Sequence, residues 1–283
     1  MSFSADWLAL REPHDLRARN PEVLAAVVGS LAGKNAIRIV DLACGTGSTL
    51  RALAPRIRTT QSWRLVDNNL SLLARASHIA SPAGVSFTTT PLDISFDLEA
   101  ALDGPIDLVA TTALLDLVSD AWLERLVVEI AARSIPLYAA LTYDGGAELT
   151  PPHSCDAAII NAVNAHQRGD KGFGAALGPE AASSAIARFE ALGYSVVHGS
   201  ADWLFAPSDR EIQTGIFSGW ASAARETGNL PLADVVEWLT FRRDAVAAGR
   251  SSLRVGHVDF FARPTTTRRA DKSQSSNISS SSR

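Results

Sequence analysis

The sequence of 283 residues predicts a doubly wound α/β fold, a mostly parallel sheet with helices on both faces. Three observations lead there. Five apolar runs recur through the first half without the polar alternation of a half-exposed strand, as strands buried on both faces should. Helical patterns separate the runs by short links, the rhythm of strand–helix–strand units. A glycine turn, Gly45-Thr46-Gly47, stands between the first run and the next helix, the place where such sheets take ligands.

The runs are residues 37–43, 63–67, 84–88, 106–111 and 136–143. Helical patterns cover 21–31, 48–53, 69–79 and 119–132, and the link at 97–102 is short. After Tyr143 the rhythm breaks. Residues 144–178 are rich in Gly, Pro, Asn and His, with one helical stretch at 156–166. A helix at 179–192 then leads to a strand at 194–197. Two helices, 209–227 and 232–249, precede a last strand at 253–262, so a helical pair is inserted between the last two of seven strands. The expected organisation is an N-terminal lid or helix at 1–20 and one domain at 21–264. Within that domain, 143–178 is read as a substrate lid and 207–250 as the helical insertion. Residues 265–283 are Ser-rich and too polar to offset their ordering entropy, so a disordered tail is expected there.

Twenty-six Lys and Arg against 30 Asp and Glu give a net charge of -4, which offers no global attraction to a phosphate backbone. No nucleic-acid partner is expected. Two cysteines, Cys44 and Cys155, are too few for a disulfide framework. The first residues lack the apolar core of a signal peptide, and no apolar run is long enough for a membrane span, so a soluble cytoplasmic protein is expected. His153, Cys155, Asp156 and His166 match no standard zinc spacing, and no metal is expected.

The glycine turn excludes two common ligand loops. A dinucleotide loop wants Gly-x-Gly-x-x-Gly, but Leu50 holds the third position. A phosphate loop wants Gly-Lys-Ser/Thr, and no Lys follows Gly47. A plain strand-to-helix turn with no ligand stays open at this point. Asp67 ends the second run about 20 residues beyond Gly45, the separation expected of a ribose-binding acid.

Asp41-Leu42-Ala43-Cys44-Gly45-Thr46-Gly47 resembles motif I of the class I S-adenosylmethionine-dependent methyltransferases, with Ala43 where the first glycine usually stands. The resemblance covers residues 21–143. It implies S-adenosylmethionine as cofactor and a seven-stranded sheet whose last strand is antiparallel. It also implies cofactor contacts at Asp41, Ala43, Gly45, Gly47, Asp67, Asn68, Asp93, Ile94 and Thr111. In that scheme Asp41 lies near the methionine end, Asp67 takes the ribose hydroxyls and Asp93 the adenine amine. Asn69 alternatively caps the next helix. Arg19, in the N-terminal segment, is a partner for the cofactor carboxylate.

The acceptor is less legible. After the fourth run the sequence is Thr111-Thr112-Ala113-Leu114, without the Asn/Asp-Pro-Pro-Tyr/Phe tetrad of amino-methylating DNA and protein-glutamine enzymes. A small-molecule acceptor remains, polar or anionic, methylated on O, N or C. Methyl transfer from a sulfonium needs in-line alignment and, where the acceptor carries a proton, a base. The catalytic candidates are His166, Tyr143 and Asp116, with Asp144, Arg168, Lys171 and Trp203 for the substrate. An RNA or protein methyltransferase, an NAD-type oxidoreductase and a non-catalytic cofactor-binding protein are the rival readings.

Overall fold

The structure is a computed structural model that describes residues 4–265. Of the disordered tail expected at 265–283, residues 266–283 lie outside the described residues. Eight strands form one sheet: β1 (Ala36–Leu42), β2 (Thr60–Asp67), β3 (Val85–Pro91), β4 (Leu108–Thr112), β5 (Leu137–Thr150), β6 (Tyr194–Ser200), β7 (Trp203–Phe205) and β8 (Ser252–Pro264). Their order is β3-β2-β1-β4-β5-β8-β6, with β7 added against β8. β1 to β5 are parallel, and β8 runs antiparallel to β5, β6 and β7. The α/β class and the antiparallel last strand therefore hold, with one strand more than expected.

Helices cover both faces. α2 (Pro21–Leu31), α3 (Ser48–Leu53) and α4 (Leu70–Ala76) pack on one, burying Val27, Leu31, Leu50 and Leu73 against Ile39 and Trp63. α5 (Leu98–Ala101), α6 (Asp120–Ala132) and α8 (Ala181–Ala191) pack on the other, burying Leu98, Leu126 and Phe189. Local chemistry sets the helix starts. Asn20 accepts from the amides of Glu22 and Val23, and Pro21 occupies the first turn, where its missing N–H costs nothing. Asn69 caps α4 through the amides of Ser71 and Leu72.

A third core lies over the far ends of β5 and β8. Here α7 (Asp156–Gln167), α9 (Arg210–Thr227) and α10 (Leu232–Ala247) bury Ile159, Phe217 and Trp238 with Tyr143 and Trp203. The inserted helical pair thus packs on the sheet's own strands rather than forming a separate body. α1 (Ala5–Ala18) docks on it, for a Cβ on Gly215 of α9 would come within 2.9 Å of the Trp7 ring.

Two differences from the sequence reading matter. The sequence pattern ends the fifth run at Tyr143. β5 instead continues to Thr150, taking up Asp144-Gly145-Gly146 at register irregularities opposite β8. The antiparallel partner supplies a ladder that a run of Asp and Gly does not announce. β7 has only three residues, too few for any periodic pattern to show.

Candidate active site

The carboxyl ends of β1 to β4 converge on a cavity of about 200 Å³. The turn after β1 forms its floor. Ala43, Gly45 and Gly47 have φ of 52°, 54° and 83°, all in the left-handed region that side chains disfavour. Glycine removes the penalty at two of these positions; Ala43 bears it. A side chain at Gly47 would collide with Ile79, and a Cβ on Gly45 would sit 3.3 Å from Leu8 of α1.

The next strand ends supply carboxylates. Asp67 closes β2, and its Oδ2 accepts from the Gly45 amide at 2.8 Å while Oδ1 accepts from the Asn69 amide at 2.8 Å. Asp93 lies just past β3, where its Oδ1 accepts from the hydroxyl and amide of Ser95 at 2.6 and 3.0 Å. The Ser95 hydroxyl bond holds this carboxyl below the usual carboxylate range. Ile94 lines the cavity beside it, and its carbonyl accepts from Trp122 Nε1 at 2.7 Å.

Of the expected cofactor residues, Ala43, Gly45, Asp67, Asn68, Asp93 and Ile94 line the cavity. Asp41, Gly47 and Thr111 do not. Asp41 is wholly buried beneath the turn, and both carboxylate oxygens lack a hydrogen-bond partner. Burial pushes its pKa up to about 7. Thr111 is equally buried and spends its hydroxyl on the Leu42 carbonyl at 2.9 Å. Arg19, expected at the cofactor carboxylate, is instead buried against Tyr138 Oη and Thr112 Oγ1, both at 3.0 Å. The Thr112 hydroxyl in turn meets Thr49 Oγ1 at 2.9 Å.

α1 roofs the cavity with Leu8, Arg11 and Asp15. It is latched to the glycine turn, since Glu12 accepts from Arg51 at 2.7 Å and Arg51 donates to the Thr46 carbonyl at 2.6 Å. A second cover is the hairpin at 170–175, which brings Lys171 and Phe173 to the wall. Asp170 shapes the hairpin by accepting from the amides of Gly172 and Gly174 at 2.7 and 3.0 Å. Phe173 packs edge-on against Trp122, with ring centres 5.2 Å apart.

The catalytic and substrate candidates divide. Lys171 lines the cavity, and burial lowers its pKa. His166 stands one step back: its carbonyl accepts from Lys171 Nζ at 2.9 Å, and its Nε2 meets Glu226 at 3.0 Å. Arg168 does not reach the cavity and pairs at the surface with Glu180 at 2.8 Å. Tyr143 is buried in the third core and donates to Asn164 Oδ1 at 2.8 Å, while burial raises its phenol pKa. Asp144 faces solvent and accepts from the Gly146 amide at 2.8 Å. Asp116 is buried outside the cavity wall with Oδ1 unpartnered, and burial raises its pKa to about 6. Trp203 also lies behind the wall, donating to Asp15 Oδ1 at 2.9 Å.

Leu8, Arg11, Asp15 and Phe173 are wall residues that fall within the expected lids at 1–20 and 143–178 without being singled out there as site residues. One signal was present: Arg11 and Asp15 are four apart on a helical stretch, the spacing that puts both on one face.

The geometry agrees with the comparisons. Residues 39–134, from β1 to just past α6, match the family model described as a methyltransferase domain. No curated protein matches the chain. Among solved structures, the cyclopropane-fatty-acyl-phospholipid synthase-like protein from Lactobacillus casei is 13% identical, with a TM-score of 0.52 over 92% of this chain and 94% of its own. A methyltransferase of Bacillus halodurans is 16% identical, with a TM-score of 0.47 over 86% of this chain and 100% of its own. A Thiobacillus denitrificans S-adenosylmethionine-dependent methyltransferase, solved with S-adenosylhomocysteine, is 17% identical, with a TM-score of 0.43 over 93% of this chain and 100% of its own. At such identities the likeness is one of fold.

The fold so defined is that of the class I methyltransferases, and residues 39–134 match a methyltransferase domain. Among the described residues no helix is long and apolar enough to cross a membrane.

Proposed function

We propose that the chain transfers the methyl group of S-adenosylmethionine to a small polar or anionic molecule held in the cavity under α1 and the hairpin at 170–175. The observation that carries this reading is the division of charge on the cavity wall. Asp67 and Asp93 stand at or just past the ends of two adjacent strands, whereas the covering segments bring the cations Arg11 and Lys171, with Asp15 beside Arg11.

The donor set fits the cofactor. A nucleoside offers hydroxyl and amine protons, and carboxylates at the sheet edge accept them strongly. Asp67 keeps acceptor capacity after its two amide bonds, and Asp93 is held ionised. The missing side chain at Gly45 leaves the turn open to close approach. When bound, the cofactor supplies a methyl group on a positively charged sulfur, already activated for displacement.

The chain's own residues then have to orient and enclose. Leu8 and Phe173 shield the cavity from water, and the Glu12–Arg51–Thr46 latch fixes the roof over the turn. Lys171 adds a cation on the acceptor side, and His166 positions it through the bond from Nζ to its carbonyl. Alignment of this kind supplies much of the rate for a displacement between two bound partners.

Purified chain incubated with methyl-labelled S-adenosylmethionine and a fractionated metabolite pool tests the reading. Label entering a small-molecule fraction is the expected result. Label confined to the RNA or protein fraction would overturn the proposed acceptor class.

A further inference from the structure

A second concavity lies outside the cavity described above. It is an open groove of about 510 Å³ between the end of α1, the first turns of α2 and the turn at 54–56 that follows α3. Small-molecule sites span roughly 300–1,000 Å³, so the groove has room for a ligand. Its apolar lining includes Leu24, buried, Val28, half-buried, and Leu16, an exposed leucine that no other side chain covers fully. The polar lining is Arg17, Arg19 and Arg56, and no Asp or Glu is among the described residues that line it.

Among the described residues none of these arginines is paired with a carboxylate. Arg17 meets His14 Nδ1 at 2.7 Å, and Arg56 donates to the Ala52 carbonyl. Arg19, read from the sequence as a partner of the cofactor carboxylate, lines this groove and not the cavity. It is 4% exposed, its Nη1 and Nη2 are turned inward to Tyr138 and Thr112, and its Nε is sealed from water with no partner. The carboxylate behind it, Asp259, is spent on the amides of Asn20 and Leu141 at 3.0 and 2.7 Å. A buried cation without a counter-ion sits poorly unless an anion comes to it. Guanidinium forks grip a carboxylate, while arginine stems and the leucines beside them cover an alkyl chain. We propose that the groove binds a small amphiphilic anion, a carboxylate on a short alkyl chain, separate from the methyl donor and its acceptor. Through the bond from Arg19 to Thr112, a residue of the cavity wall, the occupant lies one side chain away from the reaction site.

The full chain is titrated by calorimetry with decanoate, with decanol, which keeps the chain alone, and with acetate, which keeps the charge alone. Decanoate should bind, and each control should bind at least about tenfold more weakly, because each lacks one half of the recognition. Arg17→Glu, Arg56→Glu and Leu16→Asp should each weaken decanoate by about tenfold or more. All three positions are exposed, so thermal melts of these variants should match the parent. Lys171→Ala, which removes a cation from the reaction cavity, and Arg263→Glu, an exposed site outside the groove, should leave the affinity for decanoate unchanged. Absence of decanoate binding, equal binding of decanol, or unchanged affinity in the three groove variants overturns the site. A loss in Lys171→Ala with the groove variants unaffected would seat the probe in the cavity, and an equal loss in Arg263→Glu would reduce the effect to general charge attraction. Either result also overturns the proposal.

Discussion

The Gly45 amide donates to Oδ2 of Asp67 at 2.8 Å, so the turn after β1 and the end of β2 are one hydrogen-bonded unit. A carboxylate at position 67 therefore shapes the floor of the cavity as well as facing it. Asp67→Ala should weaken S-adenosylhomocysteine binding by about 1–3 kcal/mol, the range for unpairing a buried polar partner. It should also lower the melting temperature, because the amides of Gly45 and Asn69 lose their acceptor. Calorimetry and a thermal melt read the two effects separately. An undiminished affinity would remove Asp67 from the ligand site and leave it the structural role alone.

Ala43 holds a left-handed conformation, φ 52°, at a point where glycine would be unstrained. Ala43→Gly should therefore stabilise the fold by about 1 kcal/mol, since the local strain exceeds the added freedom of the unfolded chain. Chemical denaturation measures this. A destabilised variant would mean that the Ala43 methyl contributes more through packing than its backbone loses.

Asp41 carries a pH signature. Its pKa is raised from 3.8 to about 7 in the folded chain, so between those values the native state binds the extra proton. Stability contributed by that proton is present below pH 4 and is lost as pH rises through 7. His257 acts in the opposite sense: burial lowers its pKa to about 3, and its contribution is lost as pH falls from about 6.5. The stability difference between the parent and Asp41→Asn isolates the first effect. It should shift against the parent by up to about 4 kcal/mol from pH 4 to pH 8. A flat difference would show that Asp41 ionises normally.

Arg242 is fully buried in α10, where it pairs with Asp156 and donates to the Pro151 carbonyl at 2.7 Å. Trp238 Nε1 also donates to Asp156, at 2.7 Å. Removing the carboxylate with Asp156→Ala should cost about 3–5 kcal/mol, because an unpaired charge stays inside. Hydrogen exchange should localise the loss to α7, α9 and α10. Uniform loss across β1 to β4 would show that this core does not unfold as its own unit.

Arg168 and Lys171 are three residues apart, yet they should behave differently. Arg168 is committed to an exposed pair with Glu180, and such pairs are worth little. Arg168→Ala should leave both S-adenosylhomocysteine affinity and acceptor KM within about twofold. Lys171→Ala should raise acceptor KM with little change in the nucleoside. The opposite pattern would place the hairpin's working cation at Arg168.

The sheet was readable because buried parallel strands leave long apolar runs and their links are short. The three acids at the strand ends were readable for the same reason: Asp41 lies near the end of one recognisable run, Asp67 ends the next and Asp93 follows the third. Sequence alone does not distinguish an acid that faces a cavity from one sealed beneath it, and Asp41 proved to be the sealed one. The roof was harder, since a helix that precedes the sheet carries no mark of the surface it will cover. Arg11 and Asp15 draw their meaning from Trp203, a residue on a three-stranded corner that local pattern cannot see. Arg168 and His166 looked functional because charge among glycines suits a loop over a ligand. Of that stretch, only Lys171 and Phe173 reach the cavity wall.

The separation between Asp15 and Trp203, 188 residues, has a consequence for how the molecule comes into being. During synthesis α1 leaves the ribosome well before its docking partners on β7 and α9. The glycine turn, β2 and β3 can assemble well before then, leaving an uncovered floor. Until then the helix has only its contacts with the glycine turn, through Glu12, Arg51 and Leu8, while Trp7 lacks the α9 surface it packs on. Full enclosure of a ligand is thus completed only once β7 and α9 have emerged and docked.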